Sequence, residues 1–227
     1  MFRNKLIDAA KDGDLDTVRK RLVQHGVDVD SQDDRGNTAL LWASFKGHMS
    51  IAKLLLRKGA TVNFQDDDGW TALMHACDKG HIDMVNLLLR KGADMNSRTK
   101  HGNTAFMRAS IKGHLDIVRL LLDNDGVDVN YQNNFGSTAL MYASEKGHTD
   151  VVEFLLQKGA TVDCRNKYGY TAFMKASNGY HFEIVKLINR SVESKEKPDD
   201  TLGITVHNTV NHHRIDKVNT HTPMEYF

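Results

Sequence analysis

Short apolar runs come in pairs along this chain, and the pairs return at a fixed distance. The first member is compact, as in Ala39-Leu40-Leu41-Trp42-Ala43. The second is a stripe at spacings of three and four: Ile51, Leu54, Leu55 and Leu56 in one pair, Val85, Leu87, Leu88 and Leu89 in the next. That spacing puts side chains on one helix face, so each pair predicts two helices. Glycine punctuates both. The first helix ends at Lys46-Gly47-His48, Lys79-Gly80-His81, Lys112-Gly113-His114 and Lys146-Gly147-His148, and the second at Gly59, Gly92, Gly126 and Gly159. Glycine suits a helix end because it takes the left-handed backbone without a Cβ clash. A polar loop then leads into Gly36-Asn-Thr-Ala-Leu, Gly69-Trp-Thr-Ala-Leu, Gly102-Asn-Thr-Ala-Phe, Gly136-Ser-Thr-Ala-Leu or Gly169-Tyr-Thr-Ala-Phe. These glycines lie 33, 33, 34 and 33 residues apart. A period of that length marks a solenoid, whose units bury their apolar faces only against neighbours.

The order Gly-x-Thr-x-Leu, Ala, Gly-His, Val, Leu-Leu, Gly-Ala-x-Val-Asn resembles the ankyrin repeat over roughly residues 4–190. The resemblance implies an all-α solenoid of about six helix-turn-helix repeats, with finger-like turns and first helices lining a concave groove. Expected repeats span about 4–32, 33–65, 66–98, 99–132, 133–165 and 166–190 in a domain of residues 1–190. Leu41, Met74, Met107, Met141 and Met174 stand where the family carries His. Apolar contact between repeats, with Met as an adaptable filler, is expected there instead of a Thr-to-His hydrogen bond.

The ends read as caps. Lys20 and Arg21 sit where inner repeats have leucines, and Asn189 does the same in the last unit. In that unit Asn178-Gly179-Tyr180-His181 replaces Lys-Gly-His. One extra residue before Gly26 and before Gly126 is expected in a loop after the second helix. From Ser191 the pattern stops. Both prolines, Pro198 and Pro223, lie in this charged segment, so 191–227 is expected to be a disordered tail.

Composition narrows the function. With 30 basic and 29 acidic residues the net charge is +1, which gives no global pull toward nucleic acid or anionic lipid. No apolar run approaches the ~20 residues that cross a bilayer. Met1-Phe-Arg-Asn-Lys leads straight into the first cap, so no secretory signal is expected. Two cysteines, Cys77 and Cys164, make no disulfide framework, and an intracellular, cytoplasmic or nuclear protein is expected. Cys77, beside Ala76, reads as a buried thiol. His48, His81, His114, His148 and His181 recur with the repeat and read as structural; equivalent residues lie roughly 10 Å apart, too far to share a metal ion. No phosphate-binding loop, nucleophile elbow or metalloprotease motif is present. The expectation is a non-catalytic, monomeric scaffold without metal, cofactor or small-molecule substrate. An adaptor or targeting subunit of an enzyme complex, or a fragment of a larger multidomain protein, is the alternative.

Function is then sought where repeats differ. Trp42, His75, Arg108, Tyr142 and Lys175 share one place on the first helix; Phe45, Asp78, Ile111, Glu145 and Asn178 share another. Trp70 and Tyr170 follow the finger glycine, and His101, Phe135 and Tyr168 precede it. By the resemblance these places face the groove and fingers. Candidate contacts for a protein or peptide are Trp42, Phe45, Trp70, His75, His101, Arg108, Ile111, Phe135, Tyr142, Tyr168 and Tyr170, because Trp, Tyr and Arg are enriched in hot spots. The first fingers are acidic (Asp33-Asp34, Asp66-Asp67-Asp68) and the later ones are not, which would orient a partner. Finally, Leu-Leu-x-x-Gly-Ala-x-Val-Asn resembles the segment that the family's asparaginyl hydroxylase modifies. The resemblance implies Asn63, Asn96 and Asn130 as candidates, with Asn96 and Asn130 ahead of Asn63. Their other reading is a loop-tying hydrogen bond.

Overall fold

A computed structural model describes residues 5–124 and 126–196. The expected tail from 197 onward, with Pro198, Pro223 and the apolar stretch Leu202–Val206, lies outside the described residues. Twelve helices and no strand occur among those described. They pair in chain order: α1 (Lys5–Asp12) with α2 (Leu15–Leu22), α3 (Ala39–Lys46) with α4 (Met49–Arg57), α5 (Ala72–Lys79) with α6 (Ile82–Arg90). Then follow α7 (Ala105–Lys112) with α8 (Leu115–Leu122), α9 (Ala139–Lys146) with α10 (Thr149–Gln157), and α11 (Ala172–Asn178) with α12 (Phe182–Glu196). The fold is an all-α repeat solenoid. Its last helix runs beyond residue 190, to Glu196.

Each odd helix packs on the next odd helix more closely than even helices pack on one another. Side-chain size accounts for this. The odd row is lined by buried Ala39, Ala43, Ala72, Ala76, Ala105, Ala109, Ala139 and Ala143. The even row separates its helices with Ile51, Leu55, Met84, Leu88, Ile117 and Leu121. A stack tight on one side and wide on the other curves, with its odd helices on the concave side.

Threonine starts each odd helix from α3 onward. The Oγ of Thr38, Thr71, Thr104, Thr138 and Thr171 accepts from the backbone N–H of Leu41, Met74, Met107, Met141 and Met174. With the threonine so used, the apolar side chains at the family's His place are free to seal the gap between repeats. Leu41, Met74, Met107 and Met141 are all buried. Met174, in the last repeat, is partly exposed.

The recurrent histidines fasten repeats together. The Nε2 of His48, His81, His114, His148 and His181 lies 2.9 to 3.3 Å from the carbonyl of Lys11, Phe45, Asp78, Ile111 and Glu145, one repeat back. Each ring covers a helix-ending glycine; a Cβ on Gly80 would meet His114 Cε1 at 2.7 Å. In the last repeat the turn shifts by one residue. Gly179 has φ −83 and Tyr180 takes the positive φ of 58°. The extra residues before Gly26 and Gly126 act as expected: α2 and α8 stop at Leu22 and Leu122, one residue short of the equivalent helix ends, and the loop takes up the slack.

Fingers are built alike from different residues. Asp33 accepts from the N–H of Arg35 and Asn37, Asp66 from Asp68 and Trp70, Asn133 from Phe135 and Ser137, and Asn166 from Tyr168 and Tyr170. Backbone bonds then join one finger to the next: Asp67 N–H to Arg35 O, Lys100 to Asp68, Asn134 to His101, Lys167 to Phe135.

Candidate functional site

The variable places on the concave side do not act singly. They pair across repeats in a fixed register, the penultimate residue of one odd helix meeting the fourth residue of the next. Phe45 meets His75, Asp78 meets Arg108, and Glu145 meets Lys175, each 30 residues on.

In the first half these pairs fuse into one cluster. The Trp42 ring stands edge-on to Phe45 (centroids 5.7 Å, 81°), and Phe45 stands edge-on to His75 (5.6 Å, 85°). Trp70 stacks on His75 at 4.9 Å and 20°. Arg108 covers the outer face of Trp70, with its Cζ 4.6 Å from the ring. Lys11 lies 4.4 Å from the Trp42 ring and Lys79 4.5 Å from the Phe45 ring, both within cation–π range.

Three carboxylates anchor this cluster from beneath. Asp33 Oδ2 accepts from Trp42 Nε1 at 2.9 Å. Burial alone would raise its carboxyl, but that indole N–H and the N–H groups of Arg35 and Asn37 outweigh it, and Asp33 lies below the ordinary carboxylate range. Asp66 is shifted the same way: burial raises it, while the His75 imidazole, 3.7 Å away, and the N–H groups of Trp70 and Asp68 lower it further. Asp78 is buried and receives Arg108 through Nε at 3.1 Å and Nη2 at 2.5 Å, with Lys79 at 3.5 Å and Lys112 at 4.0 Å. Beside it, burial first and the Asp78 charge second push the Cys77 thiol far up, so it stays protonated and inert.

The other expected residues sit elsewhere. His101 and Phe135 pair on neighbouring fingers, with centroids 5.6 Å apart. The Tyr142 hydroxyl accepts from Asn133 Nδ2, which also donates to Asn103 Oδ1. Ile111 is partly buried, and its carbonyl is taken by His148. Tyr168 is 70% exposed at the last finger, and Tyr170 lies near Lys175. Ten of the eleven candidates thus divide into a dense first-half cluster, a finger pair, a polar Tyr142 node and an open end, with Ile111 apart from all four. Sequence reasoning left Asp33, Asp66 and Asp78 out of the candidate contacts, although they organise the cluster. For Asp78 the signal was Arg108, an opposite charge 30 residues downstream; for Asp33 and Asp66 it was a ring N–H group nine residues on, at Trp42 and His75.

Among the described residues no group of three or more His, Cys, Asp or Glu side chains has metal-holding geometry, and no helix is long and apolar enough to cross a membrane.

Three matches to the family model described as ankyrin repeats (3 copies) span residues 6–99, 63–133 and 106–199. The chain belongs to the ankyrin-repeat family. No curated relative matches it. Ankyrin repeats are generally protein–protein interaction modules and typically non-catalytic. The loop asparagines are used unequally in this ankyrin stack. Asn63 Oδ1 accepts from Asp94 N–H at 2.8 Å and its Nδ2 donates to Gly92 O; Asn130 Oδ1 accepts from Thr161 N–H at 2.7 Å. Asp30 holds Thr61 in the same way. Asn96 is exposed and makes no such bond among the described residues. It lies beside Val127 and Asp128, in the loop that carries the extra residue.

Proposed function

We propose that this chain is a non-catalytic scaffold that binds another protein or a peptide through its concave face, with Trp42, Phe45, Trp70, His75 and Arg108 as the central contact. What carries the reading is a half-buried aromatic and cationic cluster on the first helices, where side chains vary most between repeats. Partly exposed Trp and Arg are the residue types that dominate binding energy. Three cations already on ring faces favour a partner with carboxylates, which would reach Lys11, Lys79 and Arg108 while an apolar side chain covers Phe45. His101, Phe135, Tyr142, Tyr168, Tyr170 and Ile111 extend the surface toward the last repeat.

The test compares affinity capture by the wild type and by Phe45→Ala/Trp70→Ala, with melting recorded for both. Specific partners should be lost from the variant, equivalent to about 2 kcal/mol or more. Identical captured sets on two folded proteins would sink the proposal. Modification is a separate proposal for the same chain. Asn96, exposed and untied, should be hydroxylated ahead of Asn130 and Asn63, which must first release a bond to the next loop. Peptide mass spectrometry after incubation with the asparaginyl hydroxylase reads the order; equal oxygen addition at all three would remove the role given to those bonds.

A further inference from the structure

The net charge of +1 conceals a strongly divided surface. On the convex side, α2, α4 and α6 with the residues that end them carry eight basic side chains and two acidic ones. The next two outer helices, α8 and α10, carry two basic and four acidic ones counted the same way. Within the basic half, α2, α4 and α6 enclose an open cleft of about 430 Å³. Its rim is Arg19, Lys53, Arg57 and Lys91, and its floor is Leu15, Leu54 and Leu87.

Two features set the cleft apart from the same place elsewhere in the stack. The residue two after the His or Asp that precedes each outer helix is Asp16, Asp83, Asp116, Asp150 or Glu183 in five repeats, but Ser50 here. An acid at that position complements the helix dipole. This repeat gives it up at the one place where the carboxylate would neutralise the rim. Among the described residues no carboxylate pairs with Lys53, Arg57 or Lys91, and Arg19 has only the exposed Asp16 at 3.4 Å. In the corresponding position between α8 and α10, Arg119 instead lies over the Phe154 ring at 4.3 Å, with Glu153 and Asp150 on the same helix. There the cation is covered; between α2 and α6 the cations stand open above leucines.

We propose that this cleft is a second binding site, for an acidic peptide segment that places one apolar side chain between flanking carboxylates. Charge complementarity sets the sign: four cations and no acid line the cleft. Arg19 and Arg57 present the planar fork that matches a carboxylate, and Lys53 and Lys91 add point charges. The recessed floor sets the shape. Leu87 is buried and Leu15 and Leu54 are partly so, below the reach of the long basic side chains. A flat lipid surface cannot reach such a floor, whereas a projecting Leu or Phe can. The site is on the opposite side of the stack from the groove and does not depend on it.

The test uses a fluorescein-labelled peptide, Glu-Asp-Glu-Leu-Glu-Asp-Glu, and anisotropy titration of the full chain. Saturable binding that weakens about tenfold or more in Lys53→Glu/Arg57→Glu, weakens likewise when the peptide leucine becomes serine, and persists in Phe45→Ala/Trp70→Ala is the expected result. Both reversed residues are exposed, and unchanged melting confirms a folded variant. Equal binding by wild type and the reversed variant overturns the proposal, as does indifference to the peptide leucine. Binding of phosphatidylserine vesicles or inositol hexakisphosphate through the same lysine and arginine, without binding of the peptide, also overturns it. So does no binding of any probe.

Discussion

Leu41, Met74, Met107 and Met141 occupy one place in four successive concave-side helices, and each is 1% exposed. Met174 occupies the same place in α11 and is 38% exposed, beside Phe173 at 38%. Each is reached from the same Thr-Ala start through one Leu or Phe, and the helices begin with the same threonine cap. Helix chemistry therefore does not bury this side chain; the next repeat does. The finger glycines tell the same story. A Cβ on Gly69 would meet Arg98 O at 2.9 Å, whereas one on Gly169 meets nothing within 4 Å. Inner repeats are held from both sides and the last repeat from one. Stability in such a stack is a sum of repeat and interface terms, so mutations should separate along this line.

The widest separation is in the core. Leu88, fully buried in α6 between two neighbours, should cost ~2–5 kcal/mol when changed to Ala, through lost burial and the cavity left behind. Met174→Ala, already open to solvent, should cost less than about 1 kcal/mol. Urea denaturation of both variants measures the gap. Equal losses would mean that the end repeat is covered by something that seals Met174 as well as a repeat does.

Next come the two ion pairs in the shared register. Asp78 and Arg108 leave 7% and 18% of their side chains exposed, against 26% and 22% for Glu145 and Lys175. Asp78→Ala strands a partly buried guanidinium and should cost ~3 kcal/mol. Glu145→Ala removes a better-solvated pair at 2.9 Å and should cost about 1 kcal/mol or less. A double-mutant cycle with Arg108→Ala and Lys175→Ala isolates each coupling. If the outer pair couples as strongly as the inner, burial is not what ranks them.

The glycines give a smaller contrast. Gly69 and Gly169 have φ of 79° and 80°, so alanine at either pays the left-handed cost of ~1–2 kcal/mol. Only Gly69→Ala must also push back the backbone of Arg98 and Thr99, at ~1 kcal/mol or more. Matched melting curves decide it. No extra loss at Gly69 would show that the fingers yield at little cost.

How much of this was visible in the sequence follows from the range of each interaction. The helix pairs, their glycine ends and the structural histidines were legible, because each depends on a residue type at a fixed place within one unit. So was the apolar filling at Met74, Met107 and Met141. The aromatic–carboxylate cluster was legible only as loose candidates. Trp42 to Asp33 and His75 to Asp66 link helix to finger, and Arg108 to Asp78 links repeat to repeat, so comparing one column at a time separates the partners. Of Asn63, Asn96 and Asn130, the one without such a tie, Asn96, is the one whose following repeat carries the extra residue. That is a property of a neighbour, and the asparagine itself does not show it.

The smallest effect separates the first fingers from the last. Asp33 and Asp66 accept the same pair of backbone N–H bonds that the neutral Asn133 and Asn166 accept. Only the aspartates titrate. Both have folded carboxyls below the ordinary value of 3.8. A depressed carboxyl binds fewer protons in the folded than in the unfolded state, so it stabilises the fold above the unfolded pKa. That contribution should be complete at neutral pH and should fade as pH falls through about 4 and then through the folded values. Asp66→Asn keeps the acceptor but not the charge, so the loss of urea midpoint between about pH 5 and pH 3 should shrink relative to wild type. Asn133→Asp should steepen the same loss if its finger holds the charge as Asp66 does. Tyr142 and Asn103 stand near that site in place of a histidine, so the induced slope should be shallower than that of Asp66. An unchanged acid limb in Asp66→Asn would show that the finger hydrogen bonds do not discriminate between the charged and neutral acceptor.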